Sequence, residues 1–547
     1  MSDRRAISSL FVASLAIRLA WLLSYPRVIE NEGAQYVRLA QNLFAHRGYV
    51  AMRGPVTMVS PLYSIFIGVM SFLAPTPEFA GRLISLLAGA ILPVLIFLIA
   101  FKIYGRRSAF AAGILAASHP LLVALSATVY SEGLYLALLI AALYATLVTF
   151  EGGHRLAPVF AGAFTGLAYL ARPEGLLYAI IFAFWIVVAS LFMRFPMREQ
   201  LKRSAVLLTV SIVFALPFVV FLTQKMGRFY WEGKSSINDN LVLRMKTGMN
   251  QQQANSGLGP NEQEDGVGLE DDQFLYARTH PVPLSTKFHL ITDGWGLRFL
   301  EVLRDLRSAN YLGSPIIWLL AAAGLVGGKW TRLLLAHEVL LCTMTALLLF
   351  ILGSMHFIWD RFLFPIVPFL VLWAAHGAVV LYEWVDGFFI RKVPWAKRYG
   401  QGLALTVTVI GVLLLVVASA RGVAHLGEIT ESRAVELKAA GLWIASHNNR
   451  EETVMTVGMV VPFYAGATAR LLPYTDSVSV LAYLHKKDPN FVVLRRDESS
   501  QRPYLAAWLQ NGIPDSCAHL VQRLGEPLER EILVYEWNCH RGTILEK

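Results

Sequence analysis

Charged residues are scarce in this sequence. Only 16% of its 547 residues are Asp, Glu, Lys or Arg, whereas soluble domains carry about 25%. Hydrophobic residues make up 55% of the chain, which excludes a wholly soluble protein and favours a polytopic membrane protein with some extramembrane mass. The net charge of +10 is typical of Lys and Arg beside cytoplasmic helix ends. No basic patch interleaved with aromatic residues occurs, so we predict no nucleic-acid partner.

Cysteine and the common metal and nucleotide motifs are also scarce or missing. The sequence has no His-Glu-x-x-His, no Cys-x-x-Cys and no Walker or Rossmann glycine pattern. We therefore predict no metal and no other cofactor, although a divalent cation without a ligand motif stays open. Of the three cysteines, Cys342 lies in an apolar run, whereas Cys517 and Cys539 share a polar region. That region is compatible with a disulfide between them or with two thiols.

Long apolar runs are abundant instead. A spanning helix needs about 20 mostly apolar residues, which predicts a mainly α-helical membrane protein with about eleven transmembrane helices. The predicted spans are 8–25, 79–101, 108–127, 131–150, 156–171, 176–192, 204–223, 312–328, 333–353, 362–384 and 401–420. The first is too long for the apolar part of a signal peptide, so it is predicted to be retained. The run 61–74 is too short to span and is predicted to be re-entrant or to lie in the interface.

The loops differ in length and charge between the two sides. One side carries short, mostly basic loops such as "KIYGRR", "MRFPMREQLKR" and "IRKVPWAKR", whereas the other carries 26–78, 224–311 and everything after 420. The positive-inside rule then predicts a cytoplasmic N-terminus and long loops on the outer side, which is periplasmic if the membrane is a bacterial inner membrane. Within the second long loop, "NSGLGPNEQEDGVGLEDD" is Gly-rich and acidic and is predicted to be mobile without substrate.

After residue 420 the apolar periodicity changes. "ESRAVELKAAGLWIASHN" and "RPYLAAWLQNG" predict helices, and "TVMTVG", "NFVVLRR" and "REILVYEW" predict strands. We therefore divide the chain into a membrane module at 1–420 and an extramembrane α/β domain at 421–547. No internal repeat of the kind that builds two-halved transporters is found.

The first long polar stretch, "RVIENEGAQYVRLAQNLFAHRGYV", contains two carboxylates, Glu30 and Glu32. An apolar stripe at helical spacing follows them and predicts a helix lying in the interface, with Asn31 as its N-cap: Tyr36, Leu39, Ala40, Leu43 and Phe44. Glu32 then has two interpretations. It either complements the helix dipole, or it is a reactive base at the membrane boundary, where a lipid-linked substrate can meet a polar acceptor.

Further ionisable residues map to the same predicted outer side: Glu132, Arg172, Glu174, Lys234, His356 and Arg361. Such residues near a membrane are functional candidates, and arginine suits phosphate through its fork of donors. Two alternatives stay open. Arg172 could instead form a structural ion pair with Glu132 or Glu174, and Lys234 could be an ordinary interfacial lysine rather than a phosphate contact.

Several segments, in order, resemble the GT-C superfamily of polytopic glycosyltransferases, and most of all bacterial members of glycosyltransferase family 39. That family is related to protein O-mannosyltransferases and to the lipid A aminoarabinose transferase. The similar segments span about residues 8–384 and include "NEGAQYVRLAQNLFAHRGYV", "SPLYSIFIGV", "EFAGRLISLLAGAI", "YGRRSAFAAGILAASHPLLVALSATVYSEGLYL", "GLAYLARPEGLLY" and "WDRFLFPIVPF".

The resemblance implies transfer of a hexose or pentose from a polyprenyl phosphate to an acceptor hydroxyl at the outer face, with inversion. It places the catalytic base at Glu32, with Glu30 and Glu132 as candidate second acids. It implies donor phosphate binding by Arg172, Arg361 or Lys234, and a site lined by Tyr36, Tyr63, Glu174 and His356. Many family members have an adjacent Asp-Glu pair where this chain has Glu-Asn-Glu, which leaves the part of Glu30 open.

Two other classes of protein compete with a transferase. A flippase or transporter of lipid-linked glycans is expected to carry charges near the middle of its helices and broken repeat helices. An assembly or sensor protein with a degenerate site would not need Glu32.

Overall fold

The computed structural model describes nine stretches of the chain. They are residues 3–24, 28–258, 266–308, 315–328, 330–355, 360–392, 435–447, 452–526 and 530–539.

Helices dominate the first 392 residues. The first ten are α1 (Asp3–Ser24), α2 (Asn31–Phe44), α3 (Pro61–Met70), α4 (Pro77–Tyr104), α5 (Arg106–Ser118), α6 (Pro120–Leu125), α7 (Glu132–Phe150), α8 (Ala157–Ala171), α9 (Gly175–Met193) and α10 (Met197–Met226). The next eight are α11 (Lys234–Lys246), α12 (Gln251–Ser256), α13 (Gln273–Thr279), α14 (Leu284–Thr292), α15 (Trp295–Ser308), α16 (Pro315–Gly327), α17 (Arg332–Ser354) and α18 (Val367–Lys392). A 3-10 helix, Asp360–Ile366, precedes α18.

The polytopic helical architecture predicted from the apolar runs is confirmed. Within the described residues, seven helices are long and apolar enough to cross a membrane: α1, α4, α7, α9, α10, α17 and α18. The helices α3, α8 and α16 are apolar but shorter. Ten predicted spans overlap helices, whereas the eleventh, 401–420, lies outside the described residues.

The predicted span 108–127 is not one helix. It breaks between α5 and α6 at His119, whose backbone is extended, because Pro120 has no N–H and disfavours a helical residue before it. Arg18 of α1 is fully buried beside this break. Its guanidinium donates to the Ala117 carbonyl at 3.1 Å and to the Ser126 hydroxyl at 3.1 Å, so it binds a carbonyl at the end of α5.

The second long loop contains several helices. Five of them, α11 to α15, occupy most of 224–311. The described part of the acidic Gly-rich stretch packs into the protein, and its mobility without substrate stays a prediction. Val267 and Leu269 are buried, and the Gly266 amide donates to the Gly257 carbonyl at 2.8 Å. Residues 259–265 of that stretch lie outside the described residues.

The C-terminal region forms a five-stranded mixed sheet. Its elements are α19 (Val435–Ser446), β1 (Thr453–Thr456), α20 (Val460–Tyr464), β2 (Thr468–Leu471), α21 (Ser477–Lys487), β3 (Phe491–Arg495), a 3-10 turn (Arg496–Glu498), α22 (Leu505–Asn511), β4 (Ala518–Leu524) and β5 (Ile532–Trp537). The strand order is β2-β1-β3-β5-β4. β1 runs parallel to β2 and β3, whereas β5 runs antiparallel to β3 and β4.

Successive apolar residues of the central strands face opposite sides of the sheet, and helices cover both faces. Val492 and Leu494 of β3 pack in a cluster with α21 and α22, and Phe491 and Val493 pack in a second cluster with α19 and α20. The predicted C-terminal α/β domain is therefore present, with two more strands than the sequence indicated. The boundary proposed at 420 lies outside the described residues.

Cys517 and Cys539 form a disulfide that joins the start of β4 to the end of β5. The disulfide closes a loop between the two cysteines, and closing a loop of that length stabilises a fold by about 3 kcal/mol. We expect Cys517→Ser with Cys539→Ser to lower the free energy of unfolding of the C-terminal domain by about that amount, measured on the full chain by denaturant titration in micelles.

Cys342, the remaining cysteine, provides the control. Its sulfur is not bonded to another cysteine, so we expect Cys342→Ser to leave the unfolding of the sheet unchanged. Thiol labelling of the denatured, unreduced chain should modify Cys342 alone. Three modified thiols before reduction would contradict the disulfide.

Candidate functional site

The first turn of α2 approaches the start of α7 closely. A Cβ atom on Gly33 would lie 2.9 Å from the Val129 carbonyl oxygen, so only glycine permits this packing. The predicted N-cap is corrected by one residue. Glu30 occupies the N-cap position and makes no side-chain capping bond. Asn31 does not cap the helix either, because its carboxamide oxygen accepts from the Met459 amide at 2.7 Å.

The predicted apolar stripe of α2 exists, but protein rather than lipid covers most of it. Tyr36, Leu39 and Ala40 are buried, and α2 packs against α3, α4 and α20. Phe44, at the end of the helix, is 41% exposed. Neighbouring helices therefore enclose most of the apolar face, and the position of α2 at the membrane interface stays a prediction.

Glu32 lies at one end of a chain of hydroxyl groups. The Tyr36 hydroxyl lies 3.3 Å from Glu32 Oε1 and 2.8 Å from the Ser131 hydroxyl. Burial raises the pKa of Tyr36 well above its usual value, and the charges of Glu32 and Glu132 raise it further. Tyr36 therefore keeps its proton and donates to Glu32, while Ser131 donates to the Tyr36 oxygen.

Two neighbouring tyrosines extend the same group. The Tyr130 hydroxyl donates to Glu30 Oε2. Tyr63 packs edge-on against Tyr36 with ring centroids 5.1 Å apart, and its hydroxyl lies 2.7 Å from the Ser85 hydroxyl. Glu30 thus contacts Tyr130 directly, and Glu32 is connected through Tyr36 to Ser131, directly before α7.

Arg172 lies between two carboxylates. Its Nη1 lies 2.9 Å from Glu132 Oε1, and its Nη2 lies 3.4 Å from Glu174 Oε1. Glu132 begins α7, Arg172 follows α8 and Glu174 precedes α9. Pro173 requires an extended backbone at Arg172, and a Cβ on Gly175 would lie 2.3 Å from the Tyr169 amide. The sequence "ARPEG" therefore produces the tight turn that brings these charges together.

Lys234 is close enough to act electrostatically on this group. Burial by itself raises the pKa of Glu174, but the positive charges of Arg172 and Lys234 outweigh it and leave that pKa below its usual value. Lys234 begins α11, where the Glu232 carboxylate accepts from the Lys234 and Ser235 amides at 2.9 and 3.0 Å.

A cleft opens beside Arg172. It encloses about 420 Å³ of space between the side chains, part of which is open to solvent. Glu132, Arg172 and Glu174 form its charged end, and residues of α17 and the following 3-10 helix form its apolar end: Leu348, Ile351, Leu352, Met355, Phe362 and Pro365. The cleft therefore joins a charged end to an apolar end.

Not every predicted site residue can be placed. The backbone of Arg361 lies in the 3-10 helix that borders the cleft, but His356 and the Arg361 side chain lie outside the described part of the structure. Among the described residues, the one cluster of three potential metal ligands is His485, Cys517 and Cys539. It lies in the C-terminal domain, and its two sulfurs are joined in the disulfide.

Sequence reasoning included Tyr36 and Tyr63 but missed the other hydroxyl groups and the apolar half of the site. Tyr130 and Ser131 directly precede Glu132 in "TVYSEG", so that motif could have included them. Tyr135 and Tyr178 line the cleft but lie inside apolar helices that show no local polar signal. The part of α17 that lines the cleft has the apolar sequence of an ordinary membrane helix.

Part of the chain matches a known protein family. Residues 58–222 match the family model described as dolichyl-phosphate-mannose-protein mannosyltransferase. The matched stretch contains Tyr63, Glu132, Arg172 and Glu174. No curated protein matches the sequence significantly.

Solved membrane glycosyltransferases share the fold. AglB, an oligosaccharyltransferase from Archaeoglobus fulgidus, superposes with a TM-score of 0.63 at 13% identity, covering 94% of this chain and 72% of its own. ArnT from Cupriavidus metallidurans gives 0.56 at 15% identity, covering 98% of both chains. The complex of that ArnT with undecaprenyl phosphate gives 0.57 at 15% identity, covering 96% of this chain and 97% of its own. The chain therefore has the GT-C fold and resembles the membrane glycosyltransferases of family 39.

We expect Arg172→Gln to destabilise the helix bundle, because it removes the ion pair of a carboxylate, Glu132, that is only 2% exposed. Breaking a buried pair in this way costs about 3–5 kcal/mol. The measurement is the free energy of unfolding of the purified protein in micelles.

The exposed pair Lys202–Glu199, with a 3.0 Å separation, provides the control. We expect Lys202→Met to cost less than about 1 kcal/mol, because exposed pairs are screened by water. Equal losses for the two variants would contradict a structural contribution from the Glu132–Arg172–Glu174 group.

Proposed function

We propose that this protein is a membrane glycosyltransferase. It transfers a hexose or pentose from a polyprenyl-phosphate donor to the hydroxyl group of a protein, lipid or glycan acceptor at the outer face of the membrane. The observation that carries the proposal is the cleft, in which a buried Arg172 and two carboxylates adjoin an apolar wall. A lipid phosphate is a ligand with one charged end and one apolar end.

Two of the structural relatives support this class of donor. The AglB structure contains a dolichol-phosphate together with an inhibitory peptide, and one ArnT structure contains undecaprenyl phosphate. The family model that matches residues 58–222 is also described by a lipid-phosphate sugar donor.

Glu32 acts as the base in this proposal. Its carboxylate takes the proton of the acceptor hydroxyl while that oxygen attacks the anomeric carbon from the side opposite the phosphate. The bond between the anomeric carbon and the phosphate oxygen breaks, and the electron pair leaves with the polyprenyl phosphate. The configuration is therefore inverted. Tyr36, whose hydroxyl lies 3.3 Å from Glu32 Oε1, holds the carboxylate in place.

Positive charge stabilises the departing phosphate. Arg172 is already paired with Glu132 and Glu174, so those carboxylates offset its charge and fix its orientation. A guanidinium has five N–H donors, which leaves Arg172 able to donate to a phosphate oxygen as well. We assign the remaining positive charge to Lys234 and Arg361. Glu30 and Glu132 are the candidate second acids, and Glu174 and His356 line the site.

A flippase or transporter of lipid-linked glycans is the alternative. The described carboxylates of the site do not favour it, because Glu132 and Glu174 lie at helix starts rather than at mid-helix. Release of polyprenyl phosphate from its sugar distinguishes the two functions, since a flippase leaves that bond intact.

We expect Glu32→Gln to lower the release of polyprenyl phosphate by about 100-fold or more, because general base catalysis contributes about 10²–10⁴-fold. Purified wild type and variant are supplied with polyprenyl-phosphate sugars and hydroxyl acceptors, and the released carrier is measured. Glu30→Gln, assayed in parallel, decides whether the neighbouring carboxylate shares the role.

Glu199→Gln is the matched control, because Glu199 is an exposed glutamate on α10. It should retain wild-type activity. Full activity in Glu32→Gln would rule out the base assignment, and a wild type that releases no carrier from any donor would rule out the transferase.

The apolar wall predicts a dependence on lipid length. We expect Ile351→Trp, which fills the cleft, to raise KM for a long polyprenyl donor about tenfold while leaving KM for a short-chain donor unchanged, because about 1.4 kcal/mol of lost apolar contact is tenfold in affinity. Val339→Trp is the control, since Val339 is 50% exposed on the same helix and does not line the cleft. An equal rise in KM for both donors would contradict a lipid-binding wall.

A further inference from the structure

A short segment of the C-terminal domain contacts the start of α2. The segment Gly458–Ala469 begins just after β1, contains α20 and includes the first two residues of β2. The Met459 amide donates to the Asn31 carboxamide oxygen at 2.7 Å, and the Ile29 amide donates to the Tyr464 hydroxyl at 3.1 Å. These bonds lie on either side of Glu30 in the sequence.

Tyr464 also connects this turn to a membrane helix. Its hydroxyl donates to Glu78 Oε2 at 2.9 Å, and Glu78 pairs with Arg82 of α4 at 2.6 Å. Burial raises the pKa of Tyr464 above its usual value, and the charge of Glu78 raises it further. The hydroxyl therefore stays protonated, so it can accept from Ile29 and donate to Glu78 simultaneously.

The contact continues along α2 and into the loop after it. Arg38 donates to the Gly466 and Ala467 carbonyls at 3.2 and 3.3 Å, and the Ala469 amide donates to the Met52 carbonyl at 2.9 Å. The backbone at Gly458 comes so close that a Cβ there would lie 3.3 Å from the Asn31 oxygen. The segment therefore holds α2 over two turns as well as at its start.

The helix lacks a side-chain cap that would fix its own first turn. Glu30 makes no capping bond, and Asn31, whose side chain type is suited to capping, is used to accept from the C-terminal domain. Besides its contacts with the residues before α7, the first turn is therefore held by bonds from residues more than 400 positions away in the sequence.

We infer that the segment Gly458–Ala469 positions the Glu30–Glu32 turn, and that Tyr464 and Asn31 are positioning residues for the proposed base. This inference rests on the proposed function for its effect on rate, but the contact itself can be tested without activity. In this inference the C-terminal domain contributes to the proposed reaction by holding the Glu32 carboxylate of the membrane module in position.

Tyr464→Phe tests the inference because it removes the hydroxyl and keeps the ring. In the full-length protein, we expect amides 28–34 to exchange with deuterium about fivefold faster, the effect of one lost hydrogen bond. We expect kcat to fall about 10- to 100-fold, since a small misplacement of a catalytic group has effects of that size. KM for the donor should stay unchanged, because the cleft residues are untouched.

Tyr504→Phe is the matched control. The Tyr504 hydroxyl donates to the Pro473 carbonyl at 2.9 Å within the C-terminal domain, away from α2. It should leave both the exchange of amides 28–34 and kcat at wild-type values. Asn31→Ala, which removes the other bond, should reproduce the faster exchange and the lower kcat.

Two outcomes would overturn the inference. Unchanged exchange at 28–34 in both Tyr464→Phe and Asn31→Ala would show that the segment does not hold the turn. Faster exchange with full kcat would show that holding the turn does not position the base. Failure of the proposed function is recognised separately, by an inactive wild type or a fully active Glu32→Gln, and the exchange comparison still decides whether the contact exists.

Discussion

The site depends on the burial of one positive charge between two negative ones. Arg172 is 8% exposed and Glu132 is 2% exposed, so removing either would leave the other as an unpaired buried group. Their pairing joins the ends of α7, α8 and α9 at one point and keeps fixed charges beside the cleft. Tyr36 and Ser131 extend the same network to Glu32. Removing a charged member of this group would alter the charge balance, and removing Tyr36 or Ser131 would remove a hydrogen bond from the network.

The membrane helices and the first carboxylate could be predicted from the sequence because their signals are local. Long apolar runs indicate spans, and "NEGAQYVRLAQNLF" indicates an amphipathic helix behind Glu32. Pro120 and the "ARPEG" turn are also local signals, although the predicted span 108–127 does not include the break at His119. Those features needed no knowledge of which helices pack together.

The features that could not be predicted from the sequence depend on packing between residues that are far apart in the chain. Tyr36 meets Ser131 across 95 positions, and no local pattern marks that pair. The apolar stripe on α2 does not show which elements cover it, and in the structure α3, α4 and α20 do so. Strand β4 was missed because it is a half-exposed edge strand without a buried apolar run. Strand β2, only four residues long, contains Arg470 among its alternating residues.

The bond between Ile29 and Tyr464 spans 435 positions, which has a consequence for biogenesis. During synthesis, the α2 turn leaves the ribosome long before its partner segment exists. The membrane helices can form and pair their charges first, whereas the bonds at Ile29 and Asn31 form only after the C-terminal domain has folded. The turn that contains Glu30 and Glu32 is therefore completed late, after residues 459 and 464 have been synthesised.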